Sequence, residues 1–179
     1  YGEESAWFTA FDGGSYQWLF NDGAGGRNKD ARSLFFYIAT VNTPAMVLEM
    51  IGVGSQYALA AQDSEDRYLD GAKNYNMTIP ADVPAKDFWS LVVYDPQTRS
   101  MLQTDQPYPS KNNERNRDLV TNDDGSTTLW FGPEAPKGKE ANWIQTIPGK
   151  GWFICLRLYG PLGPWFEKTW KPGEIELLN

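Results

Sequence analysis

Histidine is absent from the 179 residues, and cysteine occurs once, at Cys155. Without imidazole the chain holds no Ser-His-Asp or Cys-His site and no histidine metal ligand. A single cysteine excludes an internal disulfide. Cys155 falls in the apolar run 152–159, where a thiol packs as a small hydrophobe. No apolar run approaches the ~20 residues of a membrane-spanning helix. Basic residues are also scarce: 16 Lys and Arg stand against 23 Asp and Glu, a net charge of −7. That balance excludes nucleic acid as a partner, because phosphate neutralisation needs a basic surface. It disfavours an anionic membrane surface for the same reason. No cofactor is expected. No metal is expected either, although Asp63, Asp66 and Asp70 leave calcium open. The glycine-rich stretch 21–26 (NDGAGG) lacks the ordered ligands of a calcium loop and reads as a turn.

What the chain has in quantity is aromatic residues, at 15%, within a hydrophobic content of 41%. That is enough apolar surface to bury a core in one domain, or in one domain with an appendage. The chain begins at Tyr1 rather than Met, which suggests a processed or truncated product. Residues 1–53 read as an aromatic-rich lead and a bipartite helix. Ala31, Leu34, Phe35, Ile38 and Val41 recur at spacings of three and four, as on one helical face. Thr43-Pro44 then restarts the helix, with threonine as N-cap, to about Ile51.

Residues 54–179 carry the punctuation of an all-β domain, with short strands between turn clusters. Strands are expected at 55–62, 73–79, 87–94, 99–103, 119–121, 127–131 and 143–147, with 105–116 as a polar loop. Asp124-Gly125 marks a hairpin between 119–121 and 127–131. In the closing strand Trp152, Ile154, Leu156 and Leu158 fall on one side. Phe153, Cys155, Arg157 and Tyr159 fall on the other. The fold class is therefore mainly β: a two-sheet antiparallel sandwich, jelly-roll-like, with a helical N-terminal segment. An up-and-down barrel is the alternative.

Four stretches together resemble one family: SLFFYIATVNTPAMV (33–47), YLDGAKNYNMTIP (68–80), FWSLVVYDPQTRSMLQTDQ (88–106) and NWIQTIPGKGWFICLRLYGPLGPWFEKTWKPGEIE (142–176). They are similar to the domain of unknown function 1214. That domain normally forms the C-terminal half of bacterial proteins whose N-terminal half is the domain of unknown function 1254. The resemblance implies a β-sandwich and, from many relatives, export to the periplasm or cell exterior. It implies no activity. With the upstream domain missing from the sequence, a site built between the two halves would need a second chain.

Several constellations bear on chemistry. Asp95 and Asp105, with Tyr94 beside them, are the weak candidates for acid/base catalysis, as a glycosidase uses paired carboxylates. Asp95 before Pro96 is more simply an ordinary turn initiator, with Arg99 as its ion partner. If the last two strands pair, Asn142, Gln145, Arg157 and Tyr159 converge, and with Arg99 they form the candidate ligand-binding set. There a guanidinium would clamp a carboxylate or sugar hydroxyls. Trp7, Trp18, Trp130, Trp143, Trp165 and Trp170 suit stacking against sugar rings, although tryptophan also dominates core burial. Trp89 and Trp152 belong to the core, and Trp165, Phe166 and Trp170 form a plug over the sandwich. Tyr68, Asp70, Lys73 and Tyr75 offer proton donors for lyase-type chemistry, or a plain tight turn.

Three functional classes follow. The first is an exported module that binds a small molecule or glycan, or docks a partner domain. The second is a histidine-free carbohydrate-active enzyme or other hydrolase or lyase. The third is the structural half of a larger assembly, formed with an upstream partner domain or by self-association.

Overall fold

The structure is a computed structural model that describes residues 1–2, 4–9, 11, 17–21, 24–39 and 48–178. Its longest strand, β4 (Ala85–Tyr94), pairs antiparallel with β8 (Phe153–Pro161). Around them a five-stranded sheet runs in the order β1-β2-β8-β4-β5, with β1 at Trp7–Thr9, β2 at Ser55–Ala60 and β5 at Ser110–Asn112. The second sheet has four strands in the order β7-β6-β3-β9: β7 is Trp143–Gln145, β6 Thr127–Gly132, β3 Tyr75–Ile79 and β9 Glu176–Leu177.

The two-residue period of β8 explains its central place. Ile154, Leu156 and Leu158 are fully buried and share one core cluster with Tyr75, Met77 and Ile79 of β3 and with Leu129 and Phe131 of β6. Both sheets thus turn an apolar face inward on a common core, as a β-sandwich does. Each fully buried aliphatic side chain there contributes about 1.5–3 kcal/mol. Trp165 and Trp170 belong to this core too. Trp165 lies in a short helix, α2 (Gly163–Phe166), which follows β8 directly.

Several local expectations need correction. The sheets are not wholly antiparallel, because β6 and β7 run parallel. The stretch 99–103 forms no strand and contributes a single bridge, Tyr94 to Met101. The cause is the turn before it, where Arg99 is left-handed (φ 61°) and its amide donates to the Asp95 carbonyl at 2.8 Å. The Asn122–Gly125 turn forms, with the Gly125 amide donating to the Asn122 carbonyl at 2.9 Å and Gly125 at φ 82°. No strand precedes it, however. Asn142 takes up the Val120 backbone instead, accepting its amide at 2.8 Å and donating to its carbonyl at 2.7 Å. β6 pairs instead with β3 and β7.

The helix α1 spans Lys29–Ala39. Asn28 caps it, its Oδ1 accepting the Ala31 amide at 2.9 Å. Ala31 and Phe35 pack with Phe11 and Trp18 in a satellite cluster, whereas Leu34 is exposed. Most of the expected second half of the helix, 40–47, lies outside the described residues. Residues 48–51 form a bend and turn, so no helix reaches Ile51. β1 of the lead pairs with β2, so residues on both sides of position 53 share one sheet.

Candidate functional site

Asp95 and Asp105 serve separate partners. Asp95 is buried at the end of β4 and its Oδ2 accepts Lys150 Nζ at 2.7 Å. Its Oδ1 accepts the amides of Gln97 at 2.8 Å and Thr98 at 3.3 Å. The Lys150 ammonium, then those amides, holds this carboxyl below the usual carboxylate range. Asp105 is exposed and exchanges hydrogen bonds with Gln145: its amide donates to Gln145 Oε1 at 3.0 Å, and Gln145 Nε2 donates to its Oδ2 at 3.2 Å. Neither carboxylate touches the other in these networks. Arg99 does not pair with the Asp95 side chain either. Its guanidinium lies 4.0 Å over the Tyr37 ring and donates to the Tyr37 carbonyl.

The expected Asn142, Gln145, Arg157 and Tyr159 cluster is divided between the sheets, because β7 pairs with β6 and not with β8. Asn142 is buried and spends its amide on Val120 and on the Thr128 carbonyl, 2.8 Å away. Gln145 is engaged with Asp105 and Gln106. These two side chains tie loops to the second sheet.

Arg157 and Tyr159 remain together, on the outward side of the five-stranded sheet. There the cross-strand register sets Tyr57 opposite Arg157 on one side and Ser90 on the other. The guanidinium carbon lies 5.1 Å from the Tyr57 ring centre and 5.2 Å from that of Tyr159, within cation–π range. No carboxylate pairs with Arg157 among the described residues, and its buried Nε has no hydrogen-bond partner. Tyr159 stacks on Phe88 with centroids 4.0 Å apart and planes at 16°. That stacked pair forms a wall of a cleft of about 560 Å3, which runs from Ser90 toward β5. Lys111, Asn112 and Arg115 complete the far side.

Tyr94 stands on the same face, stacked on Phe153 at 5.3 Å, with its phenol pushed up first by burial and then by Cys155. Cys155, one step further along the same face of β8 and opposite Val92, is itself buried, and burial raises its thiol to about 12, which leaves it protonated. Tyr75 is a core residue whose hydroxyl accepts the Asp70 amide at 3.1 Å, while Tyr68 is exposed. Asp63 is fully buried against Arg67 at 2.9 Å. Among the described residues no three acidic or cysteine groups are placed to hold a metal ion. Of the tryptophans, only Trp130 and Trp143 are partly exposed, side by side on the outer face of the second sheet.

Sequence reasoning missed Tyr57, Lys111 and Arg115. The alternation in β2 already sets Tyr57 opposite the core-facing Ala58 and Ala60. Lys111 and Arg115 fall in or beside a three-residue edge strand, too short to show a period.

Fold and cleft together define a mainly β, two-sheet protein with a cationic, aromatic recess on one sheet. The chain belongs to the family described as "Protein of unknown function (DUF1214)", whose profile matches residues 54–163, more than half of its length. It is similar to the crystal structure of the VPA0106 protein from Vibrio parahaemolyticus, with a TM-score of 0.65 and 21% identity over 92% of this chain. The match covers 39% of that protein, so the chain spans well under half its length. A putative uncharacterized protein from Burkholderia cenocepacia is more distantly similar, with a TM-score of 0.43 and 19% identity over 69% of this chain and 29% of that one. No curated protein matches the sequence.

Proposed function

We propose that the chain is a small-molecule-binding module whose site is the cleft beside Arg157. The observation that carries this reading is the guanidinium itself, held between Tyr57 and Tyr159 with no carboxylate partner among the described residues. An arginine built to stabilise the fold is normally matched by an acid; this one is oriented by two aromatic rings, of which Tyr159 lines the open recess. Asp95 and Asp105 are committed to separate structural partners, so nothing in the geometry favours the hydrolase reading over binding.

A thermal-shift screen of the intact chain against small carboxylates, phosphates and neutral oligosaccharides tests the proposal. Ligand at ~100 times its Kd adds about 2.7 kcal/mol, a rise of several degrees at roughly 2–4 °C per kcal/mol for this size. The rise should vanish in Arg157→Ala. A hit untouched by that substitution would move the site elsewhere.

A second reading rests on a separate apolar groove of about 410 Å3 lined by Phe8, Tyr37, Tyr68 and Phe153. Phe8, Tyr37 and Tyr68 are each more than two-fifths exposed, which suits a face that docks a partner domain. Five of the eight successive strand-to-strand steps cross between the sheets, which supports the jelly-roll-like description. The family resemblance carries the proposal of export to the cell envelope, which fractionation of the native host would check.

A further inference from the structure

The loop that follows β5 presents hydrogen-bond donors to the cleft. Asn112 Oδ1 accepts the amides of Glu114 at 3.2 Å and Arg115 at 2.7 Å, and Asn116 Oδ1 accepts the Asn112 amide at 2.9 Å. Both side-chain oxygens are thus engaged by the loop's own backbone, which fixes the two carboxamides. Neither Nδ2 has a hydrogen-bond partner among the described residues. Arg115 is exposed and joins no ion pair there. Asn112, Arg115 and Asn116 all line the cleft. The chain carries a net −7, yet no Asp or Glu is among the lining residues.

The register places this loop. Ser90 pairs with Arg157 on one side and with Asn112 on the other, so Asn112 stands on the outward side of the sheet. Lys111, opposite Leu91, belongs to the inward side and takes no part. Asn113 Oδ1 accepts the Trp89 amide at 2.9 Å and ties the loop to β4 beside Phe88. The Phe88–Tyr159 stack occupies the next outward row, two residues or roughly 7 Å along the strands. An acid group at the loop and an apolar surface beside it therefore fall within the span of one small molecule.

We propose that the cleft takes a monocarboxylate with a flat apolar body. Its acid group lies on Arg115 and the Nδ2 groups of Asn112 and Asn116, and its body lies against Phe88 and Tyr159. This rests on the binding reading above and adds the ligand class. A carboxylate only accepts, which suits a loop that presents donors. A sugar hydroxyl also donates, and the two carboxamide oxygens suited to receive it already hold loop amides.

Calorimetry with the intact chain tests it, using cinnamate, the neutral cinnamyl alcohol, acetate as an acid without the ring, and a neutral hexasaccharide. Cinnamate should bind about tenfold or more tightly than cinnamyl alcohol, as expected for hydrogen bonds to a charged group. It should also bind more tightly than acetate. Asn112→Asp and Asn116→Asp each keep the oxygen that holds the loop and turn the free donor into a charged acceptor. Both should melt as the parent does and lose cinnamate about tenfold or more. Arg115→Gln should weaken it as well. If the alcohol, acetate or the hexasaccharide binds as tightly as cinnamate, and Arg157→Ala abolishes that binding, the ligand class is overturned and the binding reading stands. Cinnamate binding untouched by all three loop variants also overturns the ligand assignment. Cinnamate lost in Asn112→Asp but kept in Arg157→Ala upholds that assignment and overturns the role given to Arg157. No binding by any probe overturns both.

Discussion

At the scale of single residues, Asp95 is a tightly held charge. Its carboxylate is buried, meets Lys150 at 2.7 Å and satisfies two amides of the turn it initiates. The folded-state pKa is lowered relative to the unfolded chain, chiefly by Lys150 and then by the Gln97 amide. The stabilisation is therefore present above the unfolded value of about 3.9 and is lost as pH falls through the folded one. Asp95→Asn keeps the size but not the charge, and should cost about 1–3 kcal/mol at neutral pH. Urea titrations at pH 7 and at low acidic pH would show the deficit shrink as the wild-type carboxylate protonates. An equal deficit at both values would mean that the charge contributes nothing. Turnover plays no part in this expectation, because the geometry of Asp95 is that of a turn and an ion pair.

Elements reveal which features a sequence carries openly. β8 and β4 were legible as apolar runs within strands of nine and ten residues, although burial in neither keeps a strict period of two, since Cys155 and Val92 on the outward side are buried as well. β1, β5 and β9 have three, three and two residues and carry no such signal. The strand expected at 119–121 fails for a physical reason: the side chain of Asn142, distant in sequence, claims Val120's backbone groups. The candidate site suffered likewise, since its residues follow from strand order, and adjacent strands in sequence need not pair.

The helix α1 was also legible, but its attachment was not. Arg99 holds its C-terminal turn by stacking on Tyr37 and bonding that carbonyl, where a cation complements the helix dipole. Arg99→Ala should quicken amide exchange in Lys29–Ala39 severalfold while leaving β4 and β8 protected, because α1 packs its apolar face in a separate cluster. Equal acceleration in the helix and the central strands would show that the two clusters open together.

For the whole molecule, the first and last segments meet around a buried tryptophan. Trp165 is 1% exposed, with the Tyr1 ring 5.7 Å away and the Trp170 ring 6.2 Å away. Nearby, Ser5 donates to Glu174 at 2.5 Å and Trp7 Nε1 to the Gly173 carbonyl at 2.9 Å. The plug thus lies inside the core shared by both sheets, and its loss should be felt across the fold. Trp165→Ala removes a large side chain from a close-packed site, at about 3–5 kcal/mol. For a chain of this size that is a fall in melting temperature on the order of 10 °C. Calorimetry should show one main transition, shifted as a unit, because both sheets contribute to that core. A variant that melts within a degree or two of the parent would place Trp165 outside the cooperative core. If the sheets instead melted in two well-separated steps, the packing around Trp165 would not be what couples them.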